Sequence, residues 1–261
     1  MSPHIRRLAG LGNRLEYLCT DNYLALEYQP IFDLNTFEPV GCEVLARLKE
    51  GDTCWMPDTF ISELQRAGLE QTFDLAVTRK AIRELGSHLP DLPTRFAVAL
   101  NYFPRSVHPP TLLPVLSESI NDTGRDDFQI CIEIVEHALS SELIPEVECL
   151  KSNGYLIAVD DFGTGYSNLR SVTRLAPDRL KIDRSFVHEL EEASLRSNLI
   201  PEMVDIARAI NAQIIAEGIE TMNQARLLTV AGVRYGQGYG LARPMPADAL
   251  GAMMRQYFAT A

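Results

Sequence analysis

Short apolar or alternating runs recur along the chain at intervals that predict β-strands. They lie at residues 24–32, 40–47, 95–101, 128–135, 155–160, 179–183, 212–217 and 233–238. Most are separated by segments long enough for a helix, such as 57–89, 141–153, 190–210, 221–231 and 247–258. A strand followed by a helix, repeated along the chain, is typical of a parallel α/β sheet.

The number of strands and the first connection indicate how this sheet is arranged. Eight strands without a Gly/Ser/Pro-rich linker favour one closed barrel over an open doubly wound sheet, which is the alternative. Residues 33–39 are too few for a parallel crossover, so the first strand should run antiparallel to its neighbour. We predict an α/β fold, a single TIM-like (β/α)8 barrel with an antiparallel first strand, over residues 21–261. Leucines at helical spacing predict a lead-in helix or linker over residues 1–20.

Composition and charge narrow the class of protein. The 35 acidic residues exceed the 24 basic ones and give a net charge of −11, which argues against a duplex-nucleic-acid binder. No apolar stretch approaches the roughly 18 residues of a membrane span, and no signal-peptide pattern precedes the domain. The five cysteines are far apart and fit reduced thiols. We therefore expect a soluble cytoplasmic protein.

Acidic and amide residues end most of the predicted strands, where a TIM-like barrel builds its active site. These residues, with one lysine among them, are Glu43, Asn101, Glu133, Asp160, Asp161, Lys181, Asp183, Glu217 and Glu220. A single carboxylate there is more often a helix cap or a solvated charge. However, Glu133 shares its strand face with Cys131, and Asp160 with Ala158. If those faces point inward, at least five carboxylates converge, and their repulsion would raise their pKa values and cost stability unless cations intervene.

The residue types of this set indicate which cations. Every converging ligand is an oxygen, with no Cys or His, which favours Mg²⁺ or Mn²⁺ over zinc. Two divalent ions roughly 3.5–4 Å apart are the usual arrangement for phosphoester hydrolysis. The adjacent Asp160 and Asp161 suit such a pair, and Lys181 would add a fixed positive charge.

Several longer motifs occur in a defined order. They are Tyr28-Gln29-Pro30-Ile31, Asp160-Asp161-Phe162-Gly163-Thr164-Gly165-Tyr166-Ser167, Lys181-Ile182-Asp183, Ala216-Glu217-Gly218-Ile219-Glu220, Gln237-Gly238-Tyr239 and Arg243-Pro244. From about residue 24 to residue 246, the sequence closely resembles the EAL-domain family of bacterial cyclic-di-GMP phosphodiesterases. A bare glycine-rich phosphate loop at 163–167 is the weaker reading of the second motif.

The resemblance implies a role for each matching residue. Ligands of two divalent cations would be Glu43, Asn101, Glu133, Asp160, Asp161 and Glu217. Among the catalytic residues, Lys181 would hold the nucleophilic water and Glu217 would be the general base. Glu136 and Glu220 would orient the water, the lysine or the neighbouring loop. Substrate contacts would be Gln29, Arg47 and Gln237, with Asp183 beside them as a further orienting acid. The five histidines receive no role.

The implied activity is hydrolysis of cyclic-di-GMP to linear 5′-pGpG by a two-metal mechanism, with Ca²⁺ as an inhibitor. A homodimer is implied through residues 190–210, where Leu195, Leu199, Met203 and Ile206 recur at helical spacing, and an upstream sensory domain is implied if the chain is a fragment. The alternatives are a receptor without useful turnover and an unrelated barrel enzyme. The family pattern is broken by Val44, Leu48, Phe103 and Val135, none of which is a metal ligand.

Overall fold

The computed structural model describes Tyr17 and residues 19–20, 22–88, 92–93, 95–124, 128–164, 169–191 and 199–258. The leucines of the predicted lead-in helix, Leu8, Leu11, Leu15 and Leu18, lie outside these residues, as do Leu195 and residues 165–168. Among the described residues, no helix is long and apolar enough to cross a membrane.

Nine strands form one sheet. They are β1 (Leu24–Asp33), β2 (Pro39–Glu50), β3 (Thr53–Trp55), β4 (Ala97–Asn101), β5 (Gln129–Val135), β6 (Leu156–Phe162), β7 (Arg179–Ile182), β8 (Gln213–Ala216) and β9 (Tyr235–Gly236). The order is β1-β9-β8-β7-β6-β5-β4-β2-β3, and a further β1–β2 pairing closes eight of the strands into a barrel. β1 runs antiparallel to both β2 and β9, and the remaining barrel pairings are parallel. The predicted barrel and its antiparallel first strand are confirmed.

Nine α-helices accompany the strands in the described part of the chain. They are α1 (Pro57–Ala67), α2 (Glu70–Gly86), α3 (Pro109–Asn121), α4 (Leu143–Ser152), α5 (Leu169–Leu175), α6 (Arg184–His188), α7 (Ile200–Ala209), α8 (Met222–Val230) and α9 (Ala247–Phe258). The segment 57–89, which the sequence suggests as one helical stretch, contains two helices because Gly68 ends α1 in a left-handed conformation, with φ 67°. β3 is an added hairpin strand on β2 that the sequence pattern did not predict.

The barrel interior below the mouth is narrow and filled by small side chains. Ala99, Cys131 and Ala158 are fully buried and form a cluster of their own, packed with Leu156. The alternate residues of the same strands, such as Ile132 and Val159, belong to the larger core cluster. This alternation fixes which residues face inward at the strand ends, so the polar layer at the mouth lies on a closely packed floor.

Candidate active site

Asp160 and Asp161 both reach the barrel mouth because β6 is irregular at its end. The β6–β7 register shifts between Val159 and Phe162, and Asp161 has φ 57°. On a regular strand, neighbouring side chains point to opposite faces, whereas an irregularity of this kind turns one residue around. One carboxylate oxygen from each of Asp160, Asp161 and Glu217 lies within 4.8 Å of the others, close enough to hold one metal ion.

The Lys181 ammonium group lies at the centre of the acidic layer. Its Nζ is 2.7 Å from Glu133 Oε2, 2.7 Å from Glu217 Oε1, 3.1 Å from Glu43 Oε2 and 3.2 Å from Asp160 Oδ1. The side chain is completely buried. Burial alone would lower the pKa of Lys181, but the four carboxylates raise it well above its ordinary value. The lysine is therefore held as a cation.

Glu43 and Glu133 share this lysine but differ in their other partners. Asn101 Nδ2 donates to Glu43 Oε1 at 2.8 Å, and Gln237 Nε2 donates to Glu43 Oε2 at 2.5 Å. Burial opposes ionisation, yet Lys181 and these amide donors hold the pKa of Glu43 below its ordinary value. Burial raises the pKa of Glu133 well above its ordinary value. The positive charge of Lys181 lowers this pKa, but the negative charges of Glu43 and Asp160 raise it again.

Glu217 directly follows β8, and its N–H continues the ladder by donating to Ile182 O at 3.0 Å. Burial raises the pKa of Glu217 to about 8; Lys181 opposes this shift, while the charges of Asp160 and Glu43 add to it. Gln237 Nε2 reaches Glu217 Oε1 at 3.2 Å as well as Glu43. Gln237 and Lys181 thus share Glu43 and Glu217 as partners.

The chemistry of the described residues fits divalent cations. Five carboxyl groups crowd around the single positive charge of Lys181, and burial together with this crowding raises the pKa values of Glu133, Asp161 and Glu217. Divalent cations bound here would compensate the charge of the ionised carboxylates. Among the described residues, no donor reaches the buried Glu133 Oε1, and Gln237 Oε1 likewise lacks a hydrogen-bond partner. Buried oxygens of this kind are costly unless hydrogen-bonded or bound to a cation. All of these groups are the oxygen ligands that Mg²⁺ and Mn²⁺ prefer.

The turn after Asp161 is held from below by Glu136. Glu136 is buried in a short 3₁₀ helix, Glu136–Ala138, and its Oε2 accepts the Gly163 N–H at 2.9 Å. Asp183 lies at the start of α6, where its Oδ1 accepts the Ser185 N–H at 2.9 Å. Burial, then the charges of Asp160 and Asp183, raise the pKa of Asp161. Glu136 thus holds the backbone just after Asp161, and Asp183 acts on Asp161 through its charge.

Three other residues that the resemblance singled out lie at the edge of this network. Gln29 pairs with Glu43 across the β1–β2 ladder, and its Nε2 is 3.5 Å from Ala242 O. Arg47 is buried and forms an ion pair with Glu27 at 3.0 Å. Glu220 lies farther out, with its side chain 60% exposed and its Oε1 3.5 Å from His188 Nε2. His188, which received no role from the sequence, is therefore next to a candidate site residue.

A cavity of about 870 Å³ opens beside Asn101 and Glu133. Its walls are mainly apolar and aromatic and include Phe60, Phe73, Val77, Phe103 and Val135. The buried Asp74 of α2 also lines it and accepts the Phe103 N–H at 2.9 Å. Burial raises the pKa of Asp74 well above its ordinary value. Sequence reasoning missed Asp74. The usable signal was an acid within the apolar stripe of a helix, between Phe73 and Val77.

Comparison with protein families places this architecture. The EAL domain model matches residues 13–244. The chain belongs to the EAL domain family. The motif order, the barrel and the acidic layer around Lys181 are thus properties of an EAL domain.

Individual relatives are similar over nearly the whole chain. A probable cyclic di-GMP phosphodiesterase, PdeB of Escherichia coli (strain K12), is 32% identical over 94% of this chain and 47% of its own length. The cyclic di-GMP phosphodiesterase NbdA of Pseudomonas aeruginosa is 32% identical over 95% of this chain and 32% of its own length. The chain thus spans between about a third and a half of these relatives. The structure of PaMucR phosphodiesterase in complex with c-di-GMP has a TM-score of 0.82 and 28% identity, covering 94% of this chain and 99% of the other.

Proposed function

We propose that this EAL domain hydrolyses cyclic-di-GMP to linear 5′-pGpG with two divalent cations, Mg²⁺ or Mn²⁺. The observation that carries the proposal is the convergence of five carboxylates around Lys181, in a chain whose relatives are named as cyclic di-GMP phosphodiesterases. Glu43, Asn101, Glu133 and Asp160 would hold one cation, and Asp160, Asp161 and Glu217 the other. An exposed thiol at Cys54 and a bacterial second messenger as substrate both favour a cytoplasmic location.

The residues around Lys181 have complementary tasks in this reaction. When bound, the two cations would supply positive charge to the phosphate and acidify the attacking water. Lys181 holds that water and stabilises charge that develops on the phosphate. Glu217 accepts the proton of the water as the water oxygen bonds to phosphorus. The P–O3′ bond breaks, the hydroxyl of the water stays on phosphorus, and the proton removed from the water ends on the 3′ oxygen, so one water is consumed for each bond cleaved.

The rest of the substrate requires more room than the metal layer provides. The 870 Å³ cavity adjoins Asn101 and Glu133, and its apolar walls suit the flat face of a purine. Gln29, Arg47 and Gln237 are the proposed substrate contacts, since the forked donors of Arg47 suit a phosphate. Glu136, Asp183 and Glu220 orient the loop and the charged groups around them. Phe103 and Val135, which depart from the family pattern, line this cavity. They therefore affect affinity and rate more than the chemistry.

The test is turnover of cyclic-di-GMP by the purified protein with Mg²⁺, with products separated by chromatography. We expect 5′-pGpG, and loss of activity in excess EDTA. Asp160→Asn and Glu133→Gln should each abolish turnover while the circular-dichroism spectrum stays nearly native. Asp205→Asn is the control, because Asp205 forms an exposed ion pair with Arg208, and it should leave turnover unchanged. Substantial turnover by either site variant would contradict the assignment.

A receptor that binds without hydrolysis is the alternative, and Lys181→Ala separates it from an enzyme. In an enzyme, this change should lower kcat much more than it weakens binding, because the charge that Lys181 stabilises develops only in the transition state. Affinity would be measured by calorimetry with Ca²⁺, which we expect to allow binding but inhibit hydrolysis. A wild-type protein that binds cyclic-di-GMP tightly but never forms 5′-pGpG would establish the receptor instead.

A further inference from the structure

We propose that Lys181 is an internal counter-ion that competes with the divalent cations for their carboxylates, and so sets how tightly the cations bind. This inference rests on the proposed function, since it concerns the same cation ligands. It goes beyond the task of Lys181 in holding the nucleophilic water, because it predicts an effect on the protein without substrate.

The contacts of Lys181 carry the proposal. Its Nζ lies within 3.2 Å of one oxygen from each of Glu43, Glu133, Asp160 and Glu217. These four residues are also the proposed cation ligands, and together with Lys181 they are mostly or wholly buried. One ammonium group therefore binds the same carboxylates that the cations need.

Burial gives this competition its strength. Carboxylates that are removed from water without a cation repel one another, so such a cluster either takes up protons or needs positive charge inside it. Lys181 supplies that charge from the protein itself, which keeps the layer intact before any ion binds. A divalent cation that enters must then share or displace hydrogen bonds to Lys181, and it is repelled by the ammonium charge at short range. Both effects weaken cation binding relative to the same ligands without a lysine.

The competition predicts a direction that a water-holding role does not. A lysine that only holds the nucleophilic water affects turnover, and its loss leaves cation affinity unchanged or weaker. A competing counter-ion has the opposite effect, because its loss frees the carboxylates and removes a repulsive charge. Lys181→Met is a suitable change, since methionine is unbranched and similar in length but uncharged.

The experiment titrates Mn²⁺ into metal-stripped protein by calorimetry without substrate, and records thermal unfolding in EDTA and in saturating Mn²⁺. We expect Lys181→Met to bind Mn²⁺ at least about tenfold more tightly than wild type, since a nearby positive charge has gone. It should also unfold at a lower temperature in EDTA and gain more from Mn²⁺. Lys49→Met removes the same charge from an exposed position and should match wild type in every measurement.

If Lys181→Met does not fold in EDTA, Lys181→Gln gives the same comparison, since it keeps a hydrogen-bond donor but no charge. Unchanged or weaker Mn²⁺ binding by a folded Lys181 variant would overturn the counter-ion proposal and leave the proposed hydrolysis untouched. A wild-type protein that binds no Mn²⁺ at all would instead contradict the two-metal part of the proposed function, and the competition with it.

Discussion

Single carboxylates in the acidic layer have pKa values shifted in different directions by their immediate partners. Glu43 accepts hydrogen bonds from Lys181, Asn101 and Gln237, and its pKa lies below the ordinary value. Glu217 has a pKa of about 8, because burial and nearby negative charge outweigh Lys181. Cations bind the deprotonated carboxylate, so a proton on Glu217 competes with them directly.

We therefore expect the Mn²⁺ affinity of the wild-type protein to rise as the pH approaches about 8 and to level off above it. Below that pH, Glu217 must lose a proton before it can bind a cation, which costs up to about tenfold in affinity per pH unit. Calorimetry between about pH 6 and pH 9 measures this slope. Glu217→Gln should bind more weakly and with a flatter profile near pH 8. A flat wild-type profile over the same range would contradict the prediction.

Strand alternation in the sequence predicts the orientation of Asp160 but not that of Asp161. Alternation along a regular strand puts Asp160 on the inner face with Ala158, and Asp160 Oδ1 does lie 3.2 Å from the Nζ of the buried Lys181. The same alternation would send Asp161 to the opposite face. Only the left-handed backbone at Asp161, with the register shift beside it, brings it to Asp160 and Glu217. Such a local irregularity leaves no periodic signal in the sequence.

Among the secondary-structure elements, the turn after β6 connects the aspartate pair to the helices outside the barrel. Gly163 has φ 94° and lies against α6 and α7. A Cβ at this position would overlap Met203 Cε and lie 3.0 Å from Phe186 Cζ. Its N–H also donates to Glu136. The position of Asp161 therefore depends on how closely this turn packs on the two helices.

We expect Gly163→Ala to lower both stability and activity, because the alanine would have a strained φ and a steric overlap. The matched control is Gly154→Ala, whose φ is 88° and whose Cβ would meet no described atom within 4 Å. The control should cost about 1–2 kcal/mol from strain alone and leave the rate of hydrolysis unchanged. Thermal unfolding and turnover of both variants measure the difference. Equal losses in the two would exclude a packing role for Gly163.

The elements divide into those with a clear periodic pattern and those without one. The long strands β1, β2 and β5 follow the apolar runs of the sequence closely. The helices α5 and α6 span only seven and five residues, so they complete at most two turns and show no helical period. The three-residue strand β3 pairs only with the end of β2 and has no alternating run of its own. Tertiary packing, not local pattern, determines these short elements.

At the scale of the whole molecule, the face around α7 is the proposed dimer contact. The apolar residues that predicted this contact differ in burial in the structure. Met203 is buried and touches the position of Gly163, so it packs within the monomer, as does much of Ile206. Leu199, immediately before α7, is 46% exposed and is available for an interface. A partner bound here would press on the helix that supports the turn after Asp161.

We expect a homodimer at micromolar concentration, measured by sedimentation equilibrium as about twice the 29.1 kDa mass of the chain. Leu199→Asp should shift the equilibrium toward monomer, because a charge at a buried apolar contact is costly while an exposed position tolerates it in the monomer. Leu227→Asp, at a leucine that is 37% exposed on α8, is the matched control and should leave the dimer intact. A single 29.1 kDa species for the wild-type protein would refute the dimer. The chemistry at Lys181 would be unaffected by that result, since every proposed cation ligand comes from one chain.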